Sequence, residues 1–534
     1  MSGAKPISRT RPYRRHACGS WCLAAAFALA LAAQGARPRV FLNLDDTHFS
    51  WSRHQAGIRP GEKEVRDYVR QYAGTHVTDL AICTGGRISS FPSKVMDCWL
   101  DKYHQTNENG RAVNYRGTPL EVEHWMWEVQ KIDPVALWRD EARRCGIRMW
   151  FSIRMNDCHD NYLPTSVLHP RHFHEHPEWR RSRHRGPLGY FDRNLDYGLP
   201  EVRAKVLAYL EETLTRYSPD GLELDWMREP YCFTPGQESV AVMTQFMRDL
   251  RQRVAAEERR CGHAIPVAVR MPALPSDALE FGFDPATWAD EGLAQVIVPS
   301  PRWATTDSDL PLAMWRQLLR NTPALIAPCI ELLVQATNAS RQIRTDESDV
   351  LGAAAQFYSE GMEAIYLYNY FDDPDPSRTY WKPADGQTRM AVRPDGMRRL
   401  LHLLGDKEGV MAAERRVICT WHDLRPEWRT AASRLPLAVK PGRGNFLRIA
   451  TGRVAAGRRV LVRLGYASPD GAEPAIFVNG RAAKFLRVEQ CVPAFTDLPL
   501  HVFEANGYSE SAAVVELVTK KPIEIGYADV TILP

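Results

Sequence analysis

Cysteine is scarce and scattered in this sequence, and no two cysteines have the Cys-x-x-Cys spacing. Of the 11 cysteines in 534 residues, Cys18 and Cys22 lie near the N-terminus and the others are spread over the chain. This pattern argues against a structural zinc site and against a dense disulfide framework. The odd number beyond the N-terminal segment leaves at least one free thiol, and the sequence does not determine whether the others pair.

Long apolar runs and basic clusters are also absent after residue 36. No stretch there is long enough to cross a bilayer, and no run of lysines and arginines with aromatic residues suggests a nucleic-acid surface. The net charge of +4 comes from the N-terminal segment: removing its five Lys and Arg from the total of 68 leaves one base fewer than the 64 acids. We therefore expect no nucleic-acid partner.

The first 36 residues have the composition of a secretory signal peptide. Several arginines precede an apolar run, 21–33, which ends in small residues. This order of a basic segment, an apolar segment and an Ala-x-Ala site predicts cleavage after export. We expect a periplasmic or secreted protein with no membrane contact after cleavage. An uncleaved membrane anchor is the alternative, although the run is short for a bilayer span.

The central part of the chain alternates short apolar runs with amphipathic segments. The runs are 40–44, 79–83, 148–153, 221–225, 266–270, 295–298, 325–330 and 364–368. The segments with helical spacing are 62–72, 135–145, 201–217, 239–260, 285–291, 310–320, 349–360 and 397–404. Eight such units predict an α/β fold, a parallel (β/α)8 TIM barrel over residues 37–408. An open doubly wound sheet is the alternative, but its glycine-rich loop after the first strand is missing.

The C-terminal part has a different pattern. Short runs of alternating hydrophobicity follow one another, and Val478-Asn-Gly-Arg481 is a strong signal for a two-residue hairpin. We predict a linker over 409–435 and an all-β sandwich over 436–534. Carbohydrate binding and structural capping are both open as its role.

Two connections of the predicted barrel are long. About sixty residues separate the second strand from the third, and about forty, rich in His and Arg, follow the third strand. Loops of this length in a compact domain are usually functional. Both would lie at the C-terminal face of the barrel, where enzymes with this fold keep their active sites.

The predicted fourth strand, within Ser218–Pro230 (SPDGLELDWMREP), carries two carboxylates on one face. Residues two apart on a strand share a face, so Leu222 and Leu224 would face the helices. Glu223 and Asp225 would then point into the barrel. Asp225 would lie at the rim, whereas Glu223 would either take part in chemistry or pair with a barrel arginine in a buried network.

The ends of the other predicted strands carry acids, arginines, amides and aromatic residues. The candidate substrate-binding residues are Asp45, Asp46, Arg154, Asn156, Trp226, Arg270, Arg302, Trp303 and Tyr368. Carboxylates and amides bind hydroxyl groups, and aromatic faces stack on sugar rings. The set predicts a site for a polyhydroxylated ligand, with a carbohydrate as the partner.

The segment Asp220-Gly-Leu-Glu-Leu-Asp-Trp226 resembles the strand-4 motif of (β/α)8 glycoside hydrolases, and 37–408 is similar to exported bacterial barrel proteins of that kind. Met227 stands where chitinases have a third acid. The Asn-Glu ending of strand 4 in the large clan of retaining barrel glycosidases is missing, but Glu331 matches that clan's nucleophile position. The resemblance implies carbohydrate hydrolysis.

Glycoside cleavage uses two carboxyl groups, one protonated and one ionised. We expect Asp225 and Glu331 to form this catalytic pair across the barrel mouth, with Glu331 as the nucleophile or base and Asp225 as the acid. Glu223 would act on Asp225 by like-charge repulsion. No cofactor and no metal are needed.

Two other functions remain open at this point. The histidines at 169, 172, 174, 176 and 184 allow a metal-dependent hydrolase or deacetylase, but their spacing is not that of a known metal motif. A non-catalytic glycan-binding protein is the other alternative. Carboxylates on opposite strands argue against it, because binding alone rarely requires them.

Overall fold

A computed structural model describes residues 37–105, 119–163, 165–184, 186, 188–302, 305–337, 340, 343–370, 394–420, 434–468, 473–489, 496–505 and 507–534, without the side chains of 46, 47 and 394–396. The predicted signal peptide, 1–36, lies outside these ranges. Within them, no helix combines the length and apolar character that a membrane crossing requires. The eight cysteines described are free thiols.

Eight parallel strands form the barrel that the periodicity predicts. They are β1 Arg39–Leu44, β2 Asp79–Gly85, β3 Arg148–Arg154, β4 Gly221–Asp225, β5 Val267–Pro272, β6 Val296–Ser300, β7 in two segments, Leu325–Ile326 and Cys329–Glu331, and β8 Ala364–Tyr368. Neighbours in sequence are neighbours in the sheet from β1 to β6, and β8 pairs with β1.

The split of β7 closes the ring. Its first segment pairs with β6 through Ile326 and Ile297, whereas its second pairs with β8 through Glu331 and Tyr368. Pro328 lies between the two segments, and it has no backbone N–H to donate to a ladder. The (β/α)8 barrel prediction is confirmed, and the open sheet is excluded.

The helices that alternate with these strands match the predicted segments to within a few residues. They are α1 Glu62–Arg70, α2 Pro134–Arg144, α3 Pro200–Tyr217, α4 Val240–Cys261, α5 Pro285–Asp290, α6 Leu312–Leu319, α7 Glu347–Ser359 and α8 Pro394–Leu404. Ser239 caps α4 by accepting a hydrogen bond from the backbone N–H of Val242, and Gly262 ends the helix in a left-handed conformation.

The connections that follow β1, β2 and β3 contain short helices that periodicity does not predict. They are Asp46–Ala56, Trp99–Tyr103, Leu120–His124, the π-helix Trp125–Val129, Arg171–Glu175, and the 3-10 turns Pro177–Trp179 and Phe191–Arg193. Pro275–Glu280 and Lys407–Ala412 are also helical, and Leu333–Val334 pairs with Ile343–Arg344. Most of these elements lie at the C-terminal ends of the barrel strands.

The C-terminal region is a sandwich of antiparallel sheets. One sheet has the strand order Arg415–Ile418, Tyr527–Leu533, Arg459–Gly465, Leu500–Ala505 and Lys484–Glu489. The other has the order Asn445–Ala450, Ala512–Val518, Ala475–Val478 and Arg481–Ala482. A separate pair is formed by Leu437–Val439 and Ile523–Ile525. The hairpin at Asn479-Gly480 is confirmed, with positive φ at both residues as its turn requires.

The first strand of the larger sheet corrects the predicted linker. Arg415–Ile418 lies inside 409–435 but pairs with Tyr527–Leu533 at the end of the chain. Gly352 of α7 packs against this strand so closely that an added Cβ would lie 2.0 Å from the carbonyl oxygen of Arg416. The β region therefore begins within the predicted linker and rests directly on a barrel helix.

Candidate functional site

A cavity of about 610 Å³ lies at the C-terminal ends of the barrel strands. Strand ends contribute Asp45, Cys83, Gly85, Arg154, Glu331, Tyr368 and Asn369. The helix after β1 contributes Trp51, and the long connections contribute Arg87, Trp99, Pro119, Asp157, His159, Asp160 and Tyr190 among others. Arg228 follows β4. The walls thus come from the two long connections singled out in the sequence, together with the helix after β1. The cavity's mixture of aromatic and charged groups suits a polar ligand with apolar faces.

The predicted alternation along β4 is confirmed. Leu222 and Leu224 belong to the core between strands and helices. Glu223 and Asp225 point into the barrel, where Tyr366 of β8 donates its phenolic O–H to the carboxylate of Glu223 at 2.7 Å. Glu223 and Asp225 belong to successive layers of side chains inside the barrel. The upper layer, which contains Asp225 and lies nearer the C-terminal ends of the strands, is charged.

That upper layer is centred on Arg270, which holds two carboxyl groups. Its Nη1 donates to Asp225 Oδ1 at 2.9 Å, its Nη2 donates to Glu331 Oε1, and its Nε donates to Ser300 Oγ at 3.0 Å. Register explains the meeting, because Asp225 is the strand partner of both Arg154 and Arg270. One guanidinium therefore joins the two residues that the sequence singled out as a catalytic pair.

The two carboxyl groups differ in their surroundings. Asp225 is 0% exposed and does not line the cavity, and its Oδ1 also accepts hydrogen bonds from the backbone N–H groups of Met227 and Arg228 at 3.0 and 2.9 Å. Three donors on one oxygen are the contacts of an ionised carboxylate. Glu331 is also buried, but it lines the cavity.

Burial shifts two of the acids towards their protonated forms. It raises the pKa of Glu331 to about 8, more than Arg270 lowers it, and it raises the pKa of Glu223 to about 7 with a further contribution from the charge of Asp225. The pKa of Arg270 is lowered by burial but raised more by Asp225 and Glu331, and it lies well above its ordinary value. A single buried cation is shared by three acids, so protonation of the least stabilised ones is the expected result.

A second charged cluster also lines the cavity. Arg154 Nη2 donates to Asp45 Oδ2 at 2.6 Å, and its Nη1 lies 3.7 Å from Asp157 Oδ2. His159 Nδ1 donates to Asp157 Oδ1 at 2.6 Å, whereas its Nε2 accepts from Arg228 Nη2 at 2.5 Å. Burial favours a neutral ring and lowers the pKa of His159, which fits this pattern of one donated and one accepted bond.

The charge of Asp157 is stabilised by this cluster. Burial alone would raise the pKa of Asp157, but His159, Arg228 and Arg154 together bring it well below its usual range. The cavity is therefore lined by an ionised carboxylate, Asp157, and by a protonated carboxyl group, Glu331. Neither Asp157 nor Arg228 was among the predicted site residues, although both follow a predicted strand by only a few positions.

Four of the predicted substrate-binding residues lie at or beneath the cavity. Asp45, Arg154 and Tyr368 line it. Arg270 lies below, with its guanidinium carbon 3.4 Å from the centre of the Tyr368 ring. Trp303 and the side chain of Asp46 lie outside the described part of the structure.

Three other predicted residues serve the scaffold. Trp226 is completely buried among Tyr197, Phe246 and Phe283, on the helix side of β4. The alternation of Leu222 and Leu224 carries on to this ring and predicts that side. The amide of Asn156 bonds to the backbone of 195 and 231, which ties two loops together, and Arg302 lies 3.6 Å from Glu229. None of the three lines the cavity.

The histidine-rich connection packs against aromatic rings. His169 stacks on Phe173 at 3.8 Å, and His176 stacks on Trp179 at 4.2 Å. Among the residues that the structure describes, no group of three or more His, Cys, Asp or Glu side chains is arranged to hold a metal ion. The aromatic contacts account for the placement of these rings.

No family model and no curated protein matches the sequence. Among solved structures, the chain is similar to the alpha-L-fucosidase isoenzyme 1 from Paenibacillus thiaminolyticus, with 12% identity, a TM-score of 0.34 and coverage of 91% of this chain and 97% of that one. An Anoxybacillus alpha-amylase has 10% identity and a TM-score of 0.37, with coverage of 91% of this chain and 98% of that one. A maltogenic alpha-amylase from Thermotoga neapolitana has 12% identity and a TM-score of 0.36, with the same coverages. Identities and TM-scores this low assign neither a family nor an activity to this chain.

Proposed function

We propose that this chain is a glycoside hydrolase that acts on an oligosaccharide or polysaccharide, with Glu331 and Asp225 as its carboxyl pair. The observation that supports the proposal is the arrangement around Arg270. One guanidinium holds two buried carboxyl groups, and the one that opens on the cavity keeps its proton at neutral pH. Glycoside cleavage requires a pair of carboxyl groups in different protonation states.

The protonation states reverse the roles expected from the sequence. Glu331 is the proposed general acid, which gives its proton to the glycosidic oxygen as the bond to the anomeric carbon breaks. Asp225, with three donors on Oδ1, is the proposed anionic partner. Its Oδ2 has no hydrogen-bond partner among the described residues, and that oxygen would act on the anomeric carbon or the attacking water once the side chains that cover it move aside.

The cavity suits a sugar. Its volume of about 610 Å³ lies in the range of ligand pockets. The rings of Trp51, Trp99 and Tyr190 supply apolar faces, and Arg154 and Asp45 supply groups that bind hydroxyls. The predicted signal peptide leads us to propose an exported protein, periplasmic or secreted, whose substrate is met outside the cytoplasm.

A glycan-binding protein without hydrolysis is the second candidate, and one observation favours it. Asp225 is fully buried and does not line the cavity, so a bound sugar would reach it only if the side chains that cover it moved. In that case the Arg270 cluster would hold the barrel together, and the cavity would bind sugar with the groups of its walls.

Hydrolysis by the purified mature protein across plant, algal and bacterial polysaccharides tests the proposal. Wild type is compared with Asp225→Asn and Glu331→Gln, which keep size and remove the acid. Glu123→Gln is the matched control, because Glu123 is another buried glutamate whose pKa burial raises to about 7, and it does not line the cavity.

We expect wild type and the Glu123 variant to release sugar at equal rates, and both site variants to be at least about a hundredfold slower. If only the Glu331 variant loses activity, Glu331 remains the proposed acid, and its partner would be another carboxylate of the cavity, such as Asp157. Binding of a glycan without cleavage, unchanged in both variants, would favour the second candidate and refute the enzyme.

A further inference from the structure

We propose that Asn369 and Tyr368 form a hydroxyl-binding pair that selects the sugar placed beside Glu331. The inference rests on the proposed glycosidase and adds a specificity-determining residue to it. Asn369 is the first residue after β8, and it was not among the site residues predicted from the strand ends.

The backbone at Asn369 breaks the alternation of the strand. Consecutive residues of a strand face opposite sides, so Asn369 would be expected to face away from the cavity that Tyr368 lines. Its φ of +50° places it in the left-handed region, and both side chains line the cavity. Few residues other than glycine adopt this conformation, and asparagine tolerates it best.

The conformation is fixed by the end of β1. The backbone N–H of Asn369 donates to Asn43 Oδ1 at 3.3 Å, and the N–H of Tyr370 donates to the carbonyl of Asn43 at 3.1 Å. Asn43 is itself buried. Backbone strain that neighbouring structure holds in place is a feature of ligand sites, and here it turns one amide towards the cavity.

Both side chains carry a buried polar atom with no hydrogen-bond partner in the described residues. These atoms are the phenolic oxygen of Tyr368 and Oδ1 of Asn369. A phenol donates and an amide oxygen accepts, so together they match a sugar hydroxyl, which does both. A buried polar group left unpaired costs free energy, and a ligand hydroxyl would remove that cost for both groups.

The pair lies next to the proposed acid. Tyr368 and Glu331 are partners in the register of β8 and β7, and neighbouring strands lie about 4.8 Å apart. A hydroxyl held by Tyr368 and Asn369 would therefore belong to the sugar whose bond Glu331 protonates. The proposed ligand is a neutral sugar with a free hydroxyl at one ring position, and its deoxy analogue would be rejected.

The test uses the full protein and the glycan that wild type cleaves. Inhibition of that cleavage is measured with the methyl glycoside of the released sugar and with each of its monodeoxy analogues. The variants are Asn369→Gly, which keeps the left-handed backbone and removes the amide, and Tyr368→Phe, which keeps the ring over Arg270. Asn479→Gly is the control, because Asn479 also has a φ of +50° but belongs to the sandwich hairpin.

We expect wild type and the Asn479 variant to bind one monodeoxy analogue about 10- to 100-fold more weakly than the parent glycoside. Asn369→Gly should bind that analogue and the parent equally. If Asn369→Gly and Tyr368→Phe both keep the full discrimination while wild type cleaves the glycan, the pair is refuted and the glycosidase stands. If wild type neither cleaves nor binds any glycan, both proposals fall.

Discussion

The protonation of Glu331 leads to the most direct prediction. Its pKa is raised by burial from an ordinary 4.5 to about 8. At about 1.4 kcal/mol per pKa unit, this corresponds to a penalty on the order of 5 kcal/mol for the ionised form in the folded protein. Glu331→Gln removes the penalty and keeps a side chain of the same shape that still accepts a hydrogen bond from Arg270.

The sign of the effect follows from proton linkage. Between pH 4.5 and about 8 the folded state holds a proton on Glu331 that the unfolded state has lost. The free energy of unfolding of wild type therefore falls as pH rises, by about 1.4 kcal/mol per pH unit from this residue. The variant lacks this slope. We expect its stability relative to wild type to rise through that window and to level off above pH 8.

Two measurements check the prediction. Urea unfolding of wild type and Glu331→Gln at pH 5, 7 and 9 gives the relative stability. Infrared titration follows the carbonyl band of protonated carboxyl groups, of which one component should titrate near pH 8 in wild type and be missing in the variant. A relative stability that does not change between pH 5 and pH 9, or a band identical in both proteins, would refute the burial argument.

Three further changes have expected outcomes. Gly221→Ala would place a Cβ 2.2 Å from the ring of Trp150, so the free energy of unfolding, measured in urea, should fall by about 1–3 kcal/mol or more. A variant as stable as wild type would show that the ring moves aside freely. Arg270→Met leaves two buried acids without their cation, so the free energy of unfolding should fall by about 3–5 kcal/mol, and this loss should be larger at pH 9 than at pH 6. An unchanged unfolding midpoint would contradict this. Tyr366→Phe removes the hydrogen bond that lowers the pKa of Glu223, so infrared titration should find that pKa above about 7; an equal or lower value would argue against the bond.

The sequence predicted the barrel correctly because each of its units is a local pattern. The eight apolar runs correspond to the eight strands, and the alternation around Glu223 and Asp225 predicted which side chains point into the barrel. The same alternation continues to Trp226 and predicts the helix side for it, which is where the structure places this ring. The two long connections were recognised from their length alone, and they do form walls of the cavity.

The chemical state of the site could not be predicted in the same way, because it depends on depth and on neighbours that are distant in sequence. Strand ends are visible in a sequence, but whether a side chain opens on the cavity, as Glu331 does, or lies beneath it, as Asp225 does, depends on how eight strands come together. Arg270 contacts both Asp225, which lies 45 positions away in the chain, and Glu331, which lies 61 positions away.

Protonation follows from that burial, so the acid and the partner that we propose stand in the opposite order to the one expected from the sequence. The turn of Asn369 into the cavity is likewise decided by a contact to Asn43, which lies 326 positions away in the chain. The sequence by itself determined the strands, the faces and the kind of residue at the barrel mouth. Only the tertiary structure decided which of those residues meet, which keep their protons and which face a ligand, since solvent exclusion and long-range contacts exist only in the folded chain.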